Sequence, residues 1–498
     1  MEFTPCRGGA FGSSFAHYIY FSTKIHNSKL CKLRNQGMNG YTQIENRRFY
    51  EITTQLSEIK HLDGQKTIYE TAYLPNWIGI MPIQGKLDNI ILSDINRLFI
   101  ENILPGKEIA GPIVIFSVPE GIKDPFPEST SIGNILDQDC RIRYWLSRLY
   151  EDNQVRIENE KLVFRNSEYQ VFWNFLERKG RIFISALIEG IPTFLPVFRQ
   201  MFKLSNLSKN RIVFNSHYFQ MEITDCATPW DIMGMPIGLL VHKEKTLLPP
   251  LYERETLVIR YNGTSSIERP DIRDQAIFIG NQVLNPKNNC ELFARPYFER
   301  TPPDKTLDLV VVGEKLLGIN RNGNTEIPEG GFVIRPKARM EIDSIEVKYG
   351  DIKDVLFAVQ GGPALVIEGK PAKDFGSPFW RGTEPAYPPT VFPLDWTNAR
   401  AARLALGSKN KKPIIIWVEG PSKSSYLPGL DSCGASLGEL SEICFDLQAE
   451  NMINLDGGGS AQICIDGHRK LKVSDRNQKT GNEAERPIPL GLSFPLGN

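Results

Sequence analysis

The chain has 498 residues, 41% hydrophobic and 23% charged, with 58 Lys+Arg against 58 Asp+Glu. That length holds about two to four domains of ordinary size, each able to bury its own core. A formal net charge of zero argues against a generalised nucleic-acid binder, which carries a basic excess, but leaves room for a local basic pocket.

The eight cysteines, Cys6, Cys31, Cys140, Cys226, Cys290, Cys433, Cys444 and Cys464, form no C-x-x-C pair. A zinc ribbon or thioredoxin-like motif is therefore not expected. So sparse a set reads as buried thiols of a reducing compartment rather than a disulfide scaffold. No apolar run approaches the roughly 18–20 residues of a membrane-spanning helix. The start "MEFTPCRGGAFGSSF" lacks a basic head followed by an apolar core. The expectation is a cytoplasmic chain without a signal peptide.

Residues 1–45 are irregular, with scattered Gly, Ser, Asn and Lys, and read as a loose arm. Residues 46–202 read as a mixed α/β N-terminal domain. In it "SDINRLFIENIL" has helical spacing, and "DCRIRYWLSRLYEDN" sets Ile142, Trp145, Leu146 and Leu149 on one helical face. "KLVFRN" and "GRIFISALI" read as strands. No chemical constellation stands out there, so the expected role is structural or partner-binding. "KLSNLSKN", residues 203–210, reads as a linker.

Residues 205–498 read as a strand-rich domain. "RIVFNSHYF", "GLLVHK", "ETLVIRY", "QAIFIG", "LDLVVVG", "GGFVIRP" and "SIEVKYG" are short, β-branched runs, mostly parted by Gly, Pro or Asn. "DVLFAVQGGPALVIEGKP" continues them. Residues 370–398 form a proline-rich loop whose Trp380, Arg381, Tyr387 and Trp396 either line a ligand or pin the loop. "ARAARLALGSKNKKPIIIWVEG" reads as strand, turn, strand. "GASLGELSEICFDLQAEN" reads as a helix opened by a Ser436/Glu439 capping box, with Leu437, Leu440, Ile443, Cys444 and Leu447 on one face. The expected fold class is α+β: a strand-rich mixed sheet with few helices, plus a separate mixed N-terminal region.

"MINLDGGGSAQICIDG", residues 452–467, then sets Asp456, Gly457, Gly458, Gly459 and Ser460 between two apolar strands. Glycine is costly beside a strand, so three in succession point to backbone that something must approach closely. Successive glycines can aim several N–H groups into one anion-binding concavity. A Walker A loop would need G-K-[ST] opening a helix; here no lysine follows and a strand comes next. Asp456, at a strand end, is placed either for acid–base or nucleophilic work or for capping its own turn.

Six elements in order resemble the phosphodiester glycosidase family. "NLDGGGS" is similar to its signature and "FNSHYF" to its Asn-Gly-x-x-Phe strand end. "VQGGPALVIEGK" resembles its Gly-Gly-Pro turn, "RLALG" its Arg-Thr-Ala-x-Gly, "SLGELSE" its Thr-x-x-Glu-Leu helix start, and "ERPIPLGLSF" its closing Arg-Pro strand. Ser216, Leu404, Ala461 and Gln462 depart from that pattern, standing where the family usually has Gly, Thr, Ser and Thr. The resemblance covers roughly 205–498 and none of residues 1–200.

It implies a hydrolase that cleaves a sugar–phosphate phosphodiester at the anomeric carbon. On that reading Asp456 stabilises or attacks the anomeric centre or activates water, with Arg403 and Glu439 as partners. Gly457, Gly458, Gly459 and Ser460 cradle the phosphate, Arg403 or Arg486 grips its oxygens, and Asn215 orients sugar or phosphate. Gly361 and Gly362 serve backbone geometry or ligand approach. The plainer roles stay open: Glu439 as a helix cap, Arg403 and Arg486 as structural ion pairs, Asn215 as a turn brace. The expected partner is a small-molecule or glycan phosphodiester, with no nucleic acid and no membrane; no cofactor is implied. A divalent ion held by Asp456, Asp395 and Asp466 lacks close ligand spacing. Two other functions fit the same residues: a non-catalytic phosphosugar- or nucleotide-binding module, and a glycosyl transferase.

Overall fold

The structure, a computed structural model, describes residues 41–49, 52–85, 199 and 201–496, with the strands Ile113–Ser117, Arg156–Glu158, Lys161–Phe164, Ser167–Gln170, Phe172–Leu176 and Arg181–Ser185. Outside the description within 201–496 lie 222–227, 229, 233, 305, 321–322, 341–343, 345, 373–374, 376–398, 422–425 and 476–481.

"RLALG" and "PIIIWV" are apolar at nearly every position, which suits strands covered on both faces. The structure realises this in Arg403–Lys409 and Lys412–Val418, paired antiparallel. Side chains alternate across a strand. Leu404, Leu406 and Ile415 therefore face one core, while Ala405, Ile414 and Ile416 face a second. These two strands sit at the middle of an eight-stranded sheet. Its order runs Tyr41–Phe49, Ile52–Lys60, Lys66–Tyr73, Lys412–Val418, Arg403–Lys409, Asn451–Asn454, Ala364–Ile367, Lys370–Pro371.

A five-stranded sheet carries Arg211–Asn215 between Ile463–Ile465 and Leu490–Pro495. Another carries Val355–Gln360 between Leu240–His242 and Thr256–Arg260. The largest core joins all three sheets, with Leu404, Ile453, Phe214, Ile463, Leu257 and Phe357 in one cluster. On the far face of the eight-stranded sheet lies the helix Leu437–Asp446. It buries Leu437, Leu440, Ile443 and Cys444 against Leu365, Ala405 and Ile416. Its capping box forms as the sequence implies: Ser436 accepts the Glu439 N–H, and the Glu439 carboxylate takes the Ser436 N–H at 2.9 Å.

Two expectations need correction. The fold is mostly β rather than α+β: Leu437–Asp446 is the one α-helix among the described residues. The short β-branched runs are four to seven residues long in several of these strands, below the length at which a helix could bury a continuous stripe. Nor is the described N-terminal stretch a separate region. Lys66–Tyr73 pairs with Lys412–Val418, Tyr69 opposite Val418 and Tyr73 opposite Ile414. Met81–Gln84 pairs with Leu490–Pro495. Without Lys66–Tyr73, the apolar Lys412–Val418 strand would leave its backbone groups unpaired at a sheet edge. The helical readings near 93–104 and 139–153 and the aromatics of the 376–398 loop lie outside the described residues. Of the cysteines, Cys290, Cys433, Cys444 and Cys464 are free and buried.

Candidate active site

Asp456 leaves the end of the fully buried strand Asn451–Asn454. Its backbone is held on both sides: the N–H donates to Ser216 O at 3.0 Å and the carbonyl accepts Asn215 Nδ2 at 2.7 Å. Asn215 Oδ1 takes the Gln462 N–H at 2.9 Å, across the glycine turn. The Asn215 amide thus braces both sides of the turn. The Gly-Gly-Pro element supports the same strand. Gly362 N–H donates to Asn454 O at 2.8 Å, and a Cβ on Gly361 would stand 2.6 Å from that oxygen. Gly361 and Gly362 are therefore backbone-packing residues here.

Each glycine of the triplet answers a different demand. A Cβ on Gly457 would stand 2.8 Å from Ala402 O. Gly458 has φ +58, a region L side chains adopt at a cost, and its N–H donates to Ala402 O at 2.9 Å. No described atom lies within 4 Å of where a Gly458 Cβ would be, so this glycine faces open space. A Cβ on Gly459 would collide with Asp475 and Arg486. Much of what comes close to the triplet is the protein itself. The N–H groups of Gly457, Gly458 and Ser460 are spent on the Asp456 carboxylate, Ala402 O and Gly457 O respectively. The cradle expected from three glycines is thereby mostly self-occupied, because the turn closes on its own carboxylate.

That carboxylate accepts the Gly457 N–H and the Ser460 hydroxyl. Burial pushes it up from the ordinary range to about 6, with Asp475 adding, against the pull of Ser460, Arg486 and Gly457. Ser460 Oγ in turn accepts Arg486 Nη1 at 3.2 Å. Arg486 gives Nε and Nη2 to Asp475 Oδ2 and Oδ1 at 2.8 and 2.9 Å, a bidentate pair. Asp475 is missing from the sequence reading. Its signal is indirect: an arginine set against a tight turn needs a carboxylate partner.

Arg403 is buried beneath the turn, donating Nε to Ala435 O at 3.0 Å and Nη2 to Ala399 O at 2.8 Å. Glu439, by contrast, is clamped. Arg400 donates Nη2 to its Oε1 at 2.6 Å and Nε at 3.0 Å. His61 Nδ1 stands 3.7 Å from Oε1. Burial alone would raise the Glu439 carboxyl, but the Arg400 hydrogen bonds and charge and the Ser436 N–H overcome it and hold it below its ordinary value. Neither Arg400 nor His61 was singled out in the sequence; the N-terminal strands deliver His61.

The departures from the family pattern fall partly on braces. Gln462 Nε2 donates to Gly459 O at 3.1 Å and Arg486 O at 2.9 Å. His217 Nε2 bonds Leu239 O at 2.9 Å, and a carbonyl only accepts, so Nε2 carries the hydrogen. The Ser216 hydroxyl then donates to Nδ1 at 2.9 Å. Burial, with Arg254 adding, pushes His217 down to about 4, so the imidazole is neutral. Asp466 accepts the Asn210 N–H at 3.0 Å on an exposed turn, and Asp395 is outside the described residues. Among the described residues no three His, Cys, Asp or Glu side chains group to hold a metal, and no helix is long and apolar enough to cross a membrane.

Residues 294–494, which include Asp456, Glu439, Arg403, Asp475 and Arg486, match the model of the phosphodiester glycosidase family. Over these residues the chain is similar to the phosphodiester glycosidase family. Asn215 and Ser216 precede the match. No curated protein matches the chain. Among solved structures, a hypothetical protein from Synechocystis matches at 13% identity and TM-score 0.37, over 89% of this chain and 62% of that one. A putative exported protein from Burkholderia pseudomallei matches at 12% identity and TM-score 0.39, over 92% and 97%. The catalytic domain of zebrafish N-acetylglucosamine-1-phosphodiester alpha-N-acetylglucosaminidase, auto-inhibited by its pro-peptide, matches at 14% identity and TM-score 0.21, over 48% and 81%.

Proposed function

We propose that the chain hydrolyses a glycosyl phosphodiester at the anomeric carbon, with Asp456 as the carboxylate of the reaction. The observation that carries this is the setting of Asp456: a partly buried acid, its own backbone held on both sides, pushed up to about 6 beside the open face of Gly458. A phosphate is already a good leaving group, so the chief demand is on a carboxylate that stabilises or attacks an oxocarbenium-like centre, or activates water. Near neutrality a group titrating at about 6 is mostly ionised, as each of those roles requires.

In this reading Gly459 N–H and the outer hydrogens of Arg486 meet the phosphate oxygens. Asn215 and Arg403 act through the turn rather than on the substrate. Glu439 orders the start of its helix.

The test is turnover of a panel of sugar-1-phosphodiesters, nucleotide-sugars included, by the wild type and Asp456→Asn. Free sugar from the wild type alone supports the reading. Tight binding without release points instead to a capture module, and sugar transferred to an added alcohol, with no free sugar formed in its absence, to a transferase. Either outcome overturns hydrolysis.

A further inference from the structure

The geometry points to Asp475 as a positioning residue of this centre: it takes the bidentate edge of Arg486, so that Arg486 reaches Asp456 only through the Ser460 hydroxyl. The inference rests on the reading of Asp456 given above. It follows from how a guanidinium pairs. An arginine beside a lone carboxylate forms a two-pronged ion pair, which is the strongest arrangement the two groups have. Such a pair between Arg486 and Asp456 would occupy the oxygens that chemistry needs.

Asp475 prevents it. Nε and Nη2 of Arg486 are held at 2.8 and 2.9 Å by Asp475, and Nη1 alone turns to Ser460 Oγ at 3.2 Å. Ser460, accepting there, donates its hydroxyl hydrogen bond to the Asp456 carboxylate. Gly459 lets the Asp475–Arg486 pair lie flat against the turn, where any side chain would collide with both. Gln462 fixes the arginine's own backbone by donating to Arg486 O at 2.9 Å. The groups facing the Asp456 carboxylate are thus the Gly457 N–H, the Ser460 hydroxyl, Arg486 and Asp475, with Arg403 beneath Gly457.

An ion pair that only braced the fold would leave the Asp456 titration in place, whereas one that sets the charge at this centre moves it in opposite directions as either member is removed. The readout is the carboxyl ¹³C titration of Asp456 in the full chain without substrate, its signal assigned by Asp456→Asn. Asp475→Asn frees the Arg486 edge and removes a like charge, so the midpoint falls, by about one pH unit. Arg486→Gln removes the cation, so the midpoint rises by a similar amount. Ser460→Ala cuts the link while leaving the ion pair whole, and the midpoint rises again; it serves if either other variant fails to fold. Opposite shifts in the first two variants support the inference. Shifts in one direction, no shift in either, or a Ser460→Ala midpoint that stays in place overturn it. Where substrate is turned over, the acid limb of kcat/KM follows the same shifts. Opposite shifts in a chain that turns over no phosphodiester would sink the hydrolase reading and leave this one standing.

Discussion

Asp456 and Glu439 are both acids at the start or end of a regular element, both partly buried, and the environment moves them in opposite directions. Glu439 has Arg400 across both oxygens and the Ser436 N–H besides, and is held below its ordinary range. Asp456 receives one hydroxyl and one neighbouring N–H, with its cation held off by Asp475, and is pushed up to about 6. The difference teaches that burial alone does not mark a reactive carboxylate. What separates the two is whether the surrounding donors have repaid the desolvation.

The sharpest way to break that comparison is to neutralise each acid in turn. Asp456→Asn is expected to cut turnover by about 100- to 10,000-fold. Glu439→Gln should leave turnover within about tenfold while lowering Tm. Equal losses of activity would show that the two acids work as a catalytic pair.

Stability against pH should separate them next. The folded state binds the Asp456 proton more tightly than the unfolded chain, so its contribution is present below about 4 and is lost as pH rises through about 6. Asp456→Asn should therefore be more stable than wild type at pH 8, by about 1–3 kcal/mol after discounting for partial exposure, and not at pH 4. Glu439 has the opposite sign. Its contribution is present above the ordinary carboxylate range and lost as pH falls, so Glu439→Gln should cost most at neutral pH. Urea melts of both variants at the two pH values check the pair.

Packing sharpens it further. Gly459→Ala drives a methyl into the Asp475–Arg486 pair and should cost about 1–3 kcal/mol together with a displaced Asp456 titration. Gly458→Ala meets open space and should cost only its left-handed backbone, about 1–2 kcal/mol. A larger loss at Gly458 than at Gly459 would contradict the assignment of the two faces. The smallest effect is expected of Ser436→Ala, about 1 kcal/mol from the lost cap with the Asp456 titration unmoved, read by thermal melts and the same carboxyl signal.

Much of the local structure was legible. "SLGELSE" spelled out the capping box and helix face, and the doubly apolar "RLALG" and "PIIIWV" spelled out central strands. The site was legible less evenly. Asp456, Ser460 and Arg486 do meet, but Asp475, Arg400 and His61 come from segments with no motif of their own. The sequence shows the three glycines only as one run, whereas Gly457, Gly458 and Gly459 face three different neighbourhoods.

The sequence by itself determined what short-range physics controls: where strands run, where the helix begins, and that bare backbone must stand after Asp456. Only the tertiary structure decided what approaches that backbone and which carboxylate keeps its donors. Those depend on registers between segments far apart in the chain, such as Lys66–Tyr73 on Lys412–Val418 and Asn215 across Asp456 and Gln462. A one-residue slip in such a register turns every side chain to the opposite face, and no local pattern of spacing carries that information.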